Sequence, residues 1–147
     1  MNIITATIDH IEALTPLFNN YRIFYKQASN PEAAKAFLKK RIENKDAVIF
    51  IAYLKEKAVG FTQLYPLYSS VSMREMYLLN DLYIDAAYRN LGIGEALINQ
   101  AKVLCQQENN KGLAIQTAAN NPAQNLYKRL GFKPDSDLHF FWKNSKV

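Results

Sequence analysis

Arg89, Gly92 and Gly94 lie in residues 79–95 (LNDLYIDAAYRNLGIGE), where a β-forming run passes through a short turn into a helix. Glycine has no Cβ, so the backbone at Gly92 and Gly94 lets a ligand approach closely. The amides of a helix's first turn lack intrahelical acceptors and stand at the positive end of its dipole. Together these features make a phosphate cradle, and Arg89 adds a fixed cation beside it. The neighbouring residues exclude two common phosphate ligands. A Walker loop needs Lys-Ser/Thr after its last glycine, whereas Gly94 is followed by Glu95-Ala96. A dinucleotide fingerprint needs a third glycine where Leu97 stands, and an acid about 20 residues onward where the chain reads Leu113-Ala114-Ile115.

The surrounding elements decide what reaches this loop. Residues 2–8 alternate Ile3, Thr5 and Thr7 with Ile4, Ala6 and Ile8, a strand pattern, and Asp9 reads as the cap of the next helix. Ile11, Leu14, Leu17 or Phe18, Tyr21 and Tyr25 recur at helical spacing, so a first helix runs to about Tyr25 with Pro16 as its kink point. Asn30-Pro31-Glu32 opens a second helix whose buried face is Ala33, Ala34, Phe37, Leu38 and Ile42. Residues 47–54 form an apolar strand, Lys55-Glu56-Lys57 a charged turn, and residues 58–65 the returning strand. A loop holding Pro66, Ser69 and Ser70 leads to a long strand over residues 74–84, completing a three-stranded antiparallel meander. A helix (92–108), a strand (113–117), a short helix (123–130) and a last strand (138–143) come after it, which predicts a partly parallel α/β region.

A second pattern lies downstream, in Asn120-Asn121-Pro122-Ala123-Gln124-Asn125-Leu126-Tyr127-Lys128-Arg129-Leu130-Gly131-Phe132. With Arg89-x-x-Gly92-x-Gly94 it resembles the GNAT superfamily of N-acetyltransferases. Their acetyl-coenzyme A signature is Gln/Arg-x-x-Gly-x-Gly/Ala, and their later signature is Asn, then Ala, then Leu-Tyr-x-x-Leu-Gly-Phe. Both signatures occur in order, and the element order of the whole chain matches. The resemblance implies an α/β (α+β) GNAT fold in a single N-acetyltransferase domain over residues 1–147. Its mixed central sheet would have roughly six to seven strands and about four flanking helices, with a V-shaped splay between the fourth and fifth strands.

The resemblance also implies a function: acetyl-CoA-dependent transfer of an acetyl group to a primary amine of a small molecule such as a polyamine, amino acid or aminoglycoside. Backbone groups of Leu82, Tyr83 and Ile84 would pair with the pantetheine arm like an added strand, one amide polarising the thioester carbonyl. Arg89, Asn90, Leu91, Gly92, Ile93, Gly94 and Glu95 would hold the pyrophosphate, and Asn120, Ala123 and Asn125 would line the other side. Tyr127 is the implied general acid for the departing thiolate, and Asp81 the candidate acceptor of the amine's proton. Leu79-Asn80-Asp81-Leu82-Tyr83-Ile84 echoes the Leu-Glu-Asp-x-x-Val of spermidine/spermine-type enzymes, with Asn80 in place of one acid and Glu75 or a water chain as its substitute. Tyr25, Tyr65 and Glu75 are the acceptor-binding candidates, since aromatic faces near an acid suit a cation; Tyr21 reads more as core.

Composition narrows the classes further. The chain has 147 residues, 49% hydrophobic and 21% charged, which is globular usage. With Cys105 alone there is no intramolecular disulfide or cysteine cluster, and His10 and His139 are far apart, so no metal is expected. No leader or membrane-length apolar run is visible, which predicts a soluble cytoplasmic protein without a membrane partner. The net charge of +5 is dispersed, without a nucleic-acid reading motif, so no nucleic-acid partner is expected. Acetylation of a protein lysine or N-terminus, and non-catalytic acyl-CoA binding, are the alternative functions. The aromatic run Phe140-Phe141-Trp142 leaves open both a homodimer and completion of the chain's own sheet.

Overall fold

In the computed structural model, which describes residues 1–147, the alternating pattern of residues 2–8 becomes a strand only over β1 (Asn2–Thr5). Thr7, rather than Asp9, provides the cap after it. Its hydroxyl accepts from the Asp9 amide and its own amide donates to His10 Nδ1 at 2.9 Å, closing a 3₁₀ turn at Ile8–His10. Helix α1 (Ile11–Phe24) carries Pro16 inside it. Helix α2 (Pro31–Asn44) begins as the sequence predicts: Asn30 Oδ1 accepts from Ala33 N–H at 3.1 Å, and Pro31 takes the first helical position.

Strands β2 (Val48–Leu54) and β3 (Lys57–Ser69) form the expected hairpin, but β3 runs on through Pro66 instead of stopping at Tyr65. Pairing parity explains why a proline is tolerated there. Tyr77 of β4 (Arg74–Ile84) sends its amide to the Gly112 carbonyl at 3.2 Å, away from β3, so its cross-strand partner Pro66 turns its nitrogen away from β4 as well. On that side β2 has already ended, its last partner being Leu64, so no ladder bond is lost.

Helix α3 (Ile93–Gln107) leads to β5 (Leu113–Ile115), which pairs in parallel with β4. The sheet order is β1-β2-β3-β4-β5, and all other pairs are antiparallel. The expected six to seven strands are therefore five. Residues 138–143 form no strand; Phe140 and Trp142 are 85% and 81% exposed. β-propensity describes a side chain's fit to a pleated, half-buried surface, and without a ladder partner it makes no strand. By chain contacts there are two units, Met1–Gln116 and Thr117–Val147, the second containing the short helix α4 (Gln124–Arg129). No helix is long and apolar enough to cross a membrane.

Within the first unit, α1 and α2 cover one face of the sheet: Leu14, Leu17, Phe18 and Leu38 pack on Ile49, Ile51 and Phe61. Helix α3 contacts β2, β3 and β4 from the other face with Ile93, Leu97, Ile98 and Ala101 buried, and Cys105 joins them as core. Gly60 sets how closely α3 approaches. A Cβ there would lie 2.7 Å from Ile84 Cδ1, 3.0 Å from the Tyr83 carbonyl oxygen and 3.5 Å from Ile93 Cγ2. The carbonyl cannot swing aside as a side chain can. Gly60→Ala is expected to cost about 1–3 kcal/mol in denaturant unfolding and to loosen the start of α3, read as faster amide exchange in its first turn.

Candidate active site

The parallel ladder between β4 and β5 ends at the pair Leu79–Ile115, while β4 continues to Ile84 paired only with β3. This is the expected splay of the fourth and fifth strands. It coincides with a bulge: Gln63 faces Asp81 and Leu64 faces Leu79, which leaves Asn80 without a partner on β3. The Asp85 amide donates to the Val59 carbonyl at 2.9 Å and so sets the alternation beyond the bulge. Tyr83 turns its backbone groups towards β3, whereas those of Leu82 and Ile84 face the open side. The three residues expected to bind as one strand thus divide into two that present backbone and one that does not. The Tyr83 ring instead meets Tyr21, with centroids 6.5 Å apart, and the Arg89 guanidinium at 5.7 Å.

At the end of β4, Asp85 caps a 3₁₀ turn (Ala86–Tyr88) by accepting from the Ala87 amide at 3.0 Å. Asn90 (φ 64°) and Gly92 (φ 78°) are both left-handed, which turns the chain into α3; Leu91 between them is exposed. No side chain caps α3, so the Ile93 and Gly94 amides have neither an intrahelical acceptor nor a capping oxygen. The space over them is open. A Cβ on Gly92 would meet nothing within 4 Å, and one on Gly94 only Ile84 Cγ1 at 4.0 Å. An uncapped amide set under open space fits a phosphate group. Glu95 lies in the same first turn. Arg89 is more constrained than the sequence suggests: its Nε donates to the Ile84 carbonyl at 3.0 Å, and its guanidinium also lies 5.9 Å from the Phe24 ring.

Behind the bulge sits Asp81, only 3% exposed. Gln63 Nε2 donates to its Oδ2 at 2.5 Å and Asn80 Nδ2 to its Oδ1 at 2.8 Å. Asn80 therefore holds the carboxylate rather than acting as a second acid. Burial raises the Asp81 pKa above the ordinary 3.8, opposed by hydrogen bonds from Gln63, Asn80 and Tyr21. The Tyr21 hydroxyl donates to the Asn80 carbonyl at 3.3 Å, so this residue belongs to the site as well as to the core. Its phenol is raised by burial and then by Asp81. Tyr65 is pushed up to about 12, by burial first and then by Asp81 and Asp46, against Arg41 which lowers it. Tyr25 stands at the rim, 55% exposed, with its ring 5.1 Å from that of Tyr21.

Glu75 does not join this group. It lies six residues before Asp81 on β4, about 20 Å away along the strand, beside Arg74 and Glu108 in a separate cleft. Gln63 is the residue missed by sequence reasoning. A glutamine in the middle of an apolar strand was the available signal, since an unpartnered amide there would be costly.

In the second unit, Asn120 lies in a turn, Ala123 caps α4 and Asn125 is in its first turn. The end of α4 gives the Leu-Tyr-x-x-Leu-Gly-Phe pattern a physical meaning. Phe132 N–H donates to the Tyr127 carbonyl at 3.0 Å and Gly131 N–H to that of Lys128 at 3.1 Å, with Gly131 at φ 93°. This is a Schellman motif, and its accompanying apolar contact is the Tyr127–Phe132 ring pair at 6.2 Å.

Asp81 makes stability depend on pH in a definite direction. Its pKa is raised in the folded state, so the folded chain binds the proton more strongly than the unfolded one. Stability therefore falls as pH rises from about 4 through the raised value. In Asp81→Asn this fall is expected to disappear. Urea unfolding of both forms across that pH range checks it; an equal slope in both would overturn the assignment.

The Acetyltransferase (GNAT) family matches residues 12–132 of this chain. An uncharacterized N-acetyltransferase, YhfO, of Bacillus subtilis strain 168 is 45% identical over 145 residues, covering 98% of this chain and 97% of the relative. A thialysine N-epsilon-acetyltransferase of Caenorhabditis elegans is 32% identical over 111 residues, covering 76% of this chain and 67% of the relative. A crystal structure of a probable acetyltransferase superposes with a TM-score of 0.91 at 35% identity, covering 98% of each chain. Enzymes of this family use acetyl-CoA, which suits the uncapped α3 amides and the open edge of β4. The chain belongs to the GNAT acetyltransferase family and is an acyltransferase.

Proposed function

We propose that this chain is an acetyl-CoA-dependent N-acetyltransferase of a small primary amine. The observation that carries the reading is the coincidence, at one point of β4, of an open backbone edge and a buried carboxylate. A base only 3% exposed is reached by a slender amine more readily than by a folded protein surface. The relative from Caenorhabditis elegans, named for the ε-nitrogen of thialysine, supports the same class.

In this reading the Ile93 and Gly94 amides, with Arg89 and the Asn90–Gly92 turn, hold the phosphates. The outward backbone groups of Leu82 and Ile84 hold the pantetheine arm, and one of their amides hydrogen-bonds the thioester carbonyl. The cofactor supplies an acetyl group activated as a thioester. Asp81 accepts the proton that the attacking amine gives up, a task favoured by a carboxylate whose pKa is raised above the ordinary range. Asn120, Ala123 and Asn125 enter through the motif match as further contacts to the arm. Tyr127 enters in the same way, its hydroxyl giving a proton to the departing sulfur.

Two measurements test this. Saturating acetyl-CoA, at about 100 times its dissociation constant, is expected to add about 2.7 kcal/mol of stability; no rise in Tm would overturn the reading. Tyr127→Phe is expected to keep that rise while losing about 10²–10⁴-fold in kcat for thiol release, and Asp81→Asn to lose the acid limb of the kcat/KM profile.

A further inference from the structure

Two aromatic residues close helix α1 with their rings largely in solvent, Phe24 62% and Tyr25 55% exposed. The chain turns immediately beyond them. Lys26 is left-handed at φ 64°, its amide donates to the Ile23 carbonyl at 2.9 Å, and the Gln27 amide donates to that of Arg22 at 3.0 Å. These backbone bonds fix the directions in which Phe24 and Tyr25 leave the helix. From there a closed circuit of ring contacts runs to β4 and back. Phe24 meets Tyr25 at 5.2 Å between centroids, Tyr25 meets Tyr21 at 5.1 Å, and Tyr21 meets Tyr83 at 6.5 Å. The Arg89 guanidinium completes it, 5.7 Å from the Tyr83 ring and 5.9 Å from the Phe24 ring.

The circuit holds Arg89 at a particular place. Its Nε donates to the Ile84 carbonyl at 3.0 Å, and that carbonyl faces the open side of β4, past the end of the β5 ladder. Of the outward backbone groups at Leu82 and Ile84, this one is therefore taken, and the guanidinium stands where the open edge gives way to the turn before α3. A single guanidinium N–H makes that bond, which leaves the others for a phosphate. A long cationic side chain loses rotamer freedom when it binds a ligand. One already held by two rings and a carbonyl has lost that freedom beforehand, so less of the binding energy is spent on ordering it. Resting on the transferase reading above, we propose that Phe24 is a cofactor-positioning residue: its ring holds the Arg89 guanidinium in place for the phosphates of acetyl-CoA. Tyr83 holds the same group from β4. The first helix thus serves both sides of the site, with Phe24 at the cofactor's arginine and the Tyr21 hydroxyl at the Asn80 carbonyl, 3.3 Å away.

The test is the dissociation constant of acetyl-CoA, read by titration calorimetry without any amine, in a double-mutant cycle of Phe24→Leu and Arg89→Gln. Glutamine keeps an N–H for the Ile84 carbonyl and removes the charge. Phe24→Leu alone is expected to weaken binding about three- to tenfold, and Phe24→Tyr, which keeps the ring, to bind as the wild type does. In the Arg89→Gln background the same Phe24→Leu change is expected to alter binding by less than about twofold, since the group it positions has gone. Because Phe24 is mostly exposed, its variants are expected to keep the wild-type Tm in the absence of ligand, which shows that they are folded. Unchanged binding in Phe24→Leu, an equal loss in both backgrounds, or no recovery in Phe24→Tyr overturns the proposal alone. Failure of the wild type to bind acetyl-CoA overturns the transferase reading together with it.

Discussion

Between Gln63 and Leu64 β3 advances one residue while β4 advances two, and Asn80 is the residue left over. A bulge bends its strand and sharpens the local twist, so a neighbour paired up to that point diverges beyond it. β5 does diverge, its ladder ending at Leu79–Ile115, immediately before the bulge. The same irregularity places the Asn80 amide on Asp81 and its carbonyl under the Tyr21 hydroxyl. One inserted residue therefore opens a backbone edge on one side of β4 and organises a carboxylate on the sheet face.

That carboxylate is held by two opposing effects. Burial disfavours its charge, and donors from Gln63 and Asn80 favour it. Burial is the larger effect, so the carboxyl keeps its proton to higher pH than an ordinary carboxylate does. Gln63 adds a second tension, because its buried Oε1 has no hydrogen-bond partner.

Two helix ends use the same closing device for different purposes. At the end of α2, left-handed Lys45 lets Arg41 and Asp46 meet; at the end of α4, left-handed Gly131 lets Phe132 fold back on Tyr127. In both, a pair of backbone hydrogen bonds fixes side chains five positions apart in a geometry that rotamer choice alone would leave loose. At α3 it is the start that matters. Gly60 allows Ile84 and Ile93 to close on the sheet, which sets the angle at which the uncapped amides emerge.

Local chemistry was legible in the sequence. The Asn30-Pro31 helix start, the β2–β3 hairpin, the extent of β4 and the glycine loop before α3 all depend on neighbours within a few residues, and all appear where the pattern puts them. The two signatures carried the family for the same reason, since each is a short stretch whose backbone must take one shape. Tertiary structure decided whatever depends on pairing between distant segments. Pro66 is accepted in β3 only because β2 has ended beside it, and residues 138–143 have strand propensity without a ladder. Glu75 and Asp81 share β4, yet its length sends them to different ends of the sheet. Gln63 and Tyr21 come to Asp81 from β3 and α1. Side chains brought together by folding leave no spacing to read, because their proximity is set by strand register and helix packing rather than by distance along the chain.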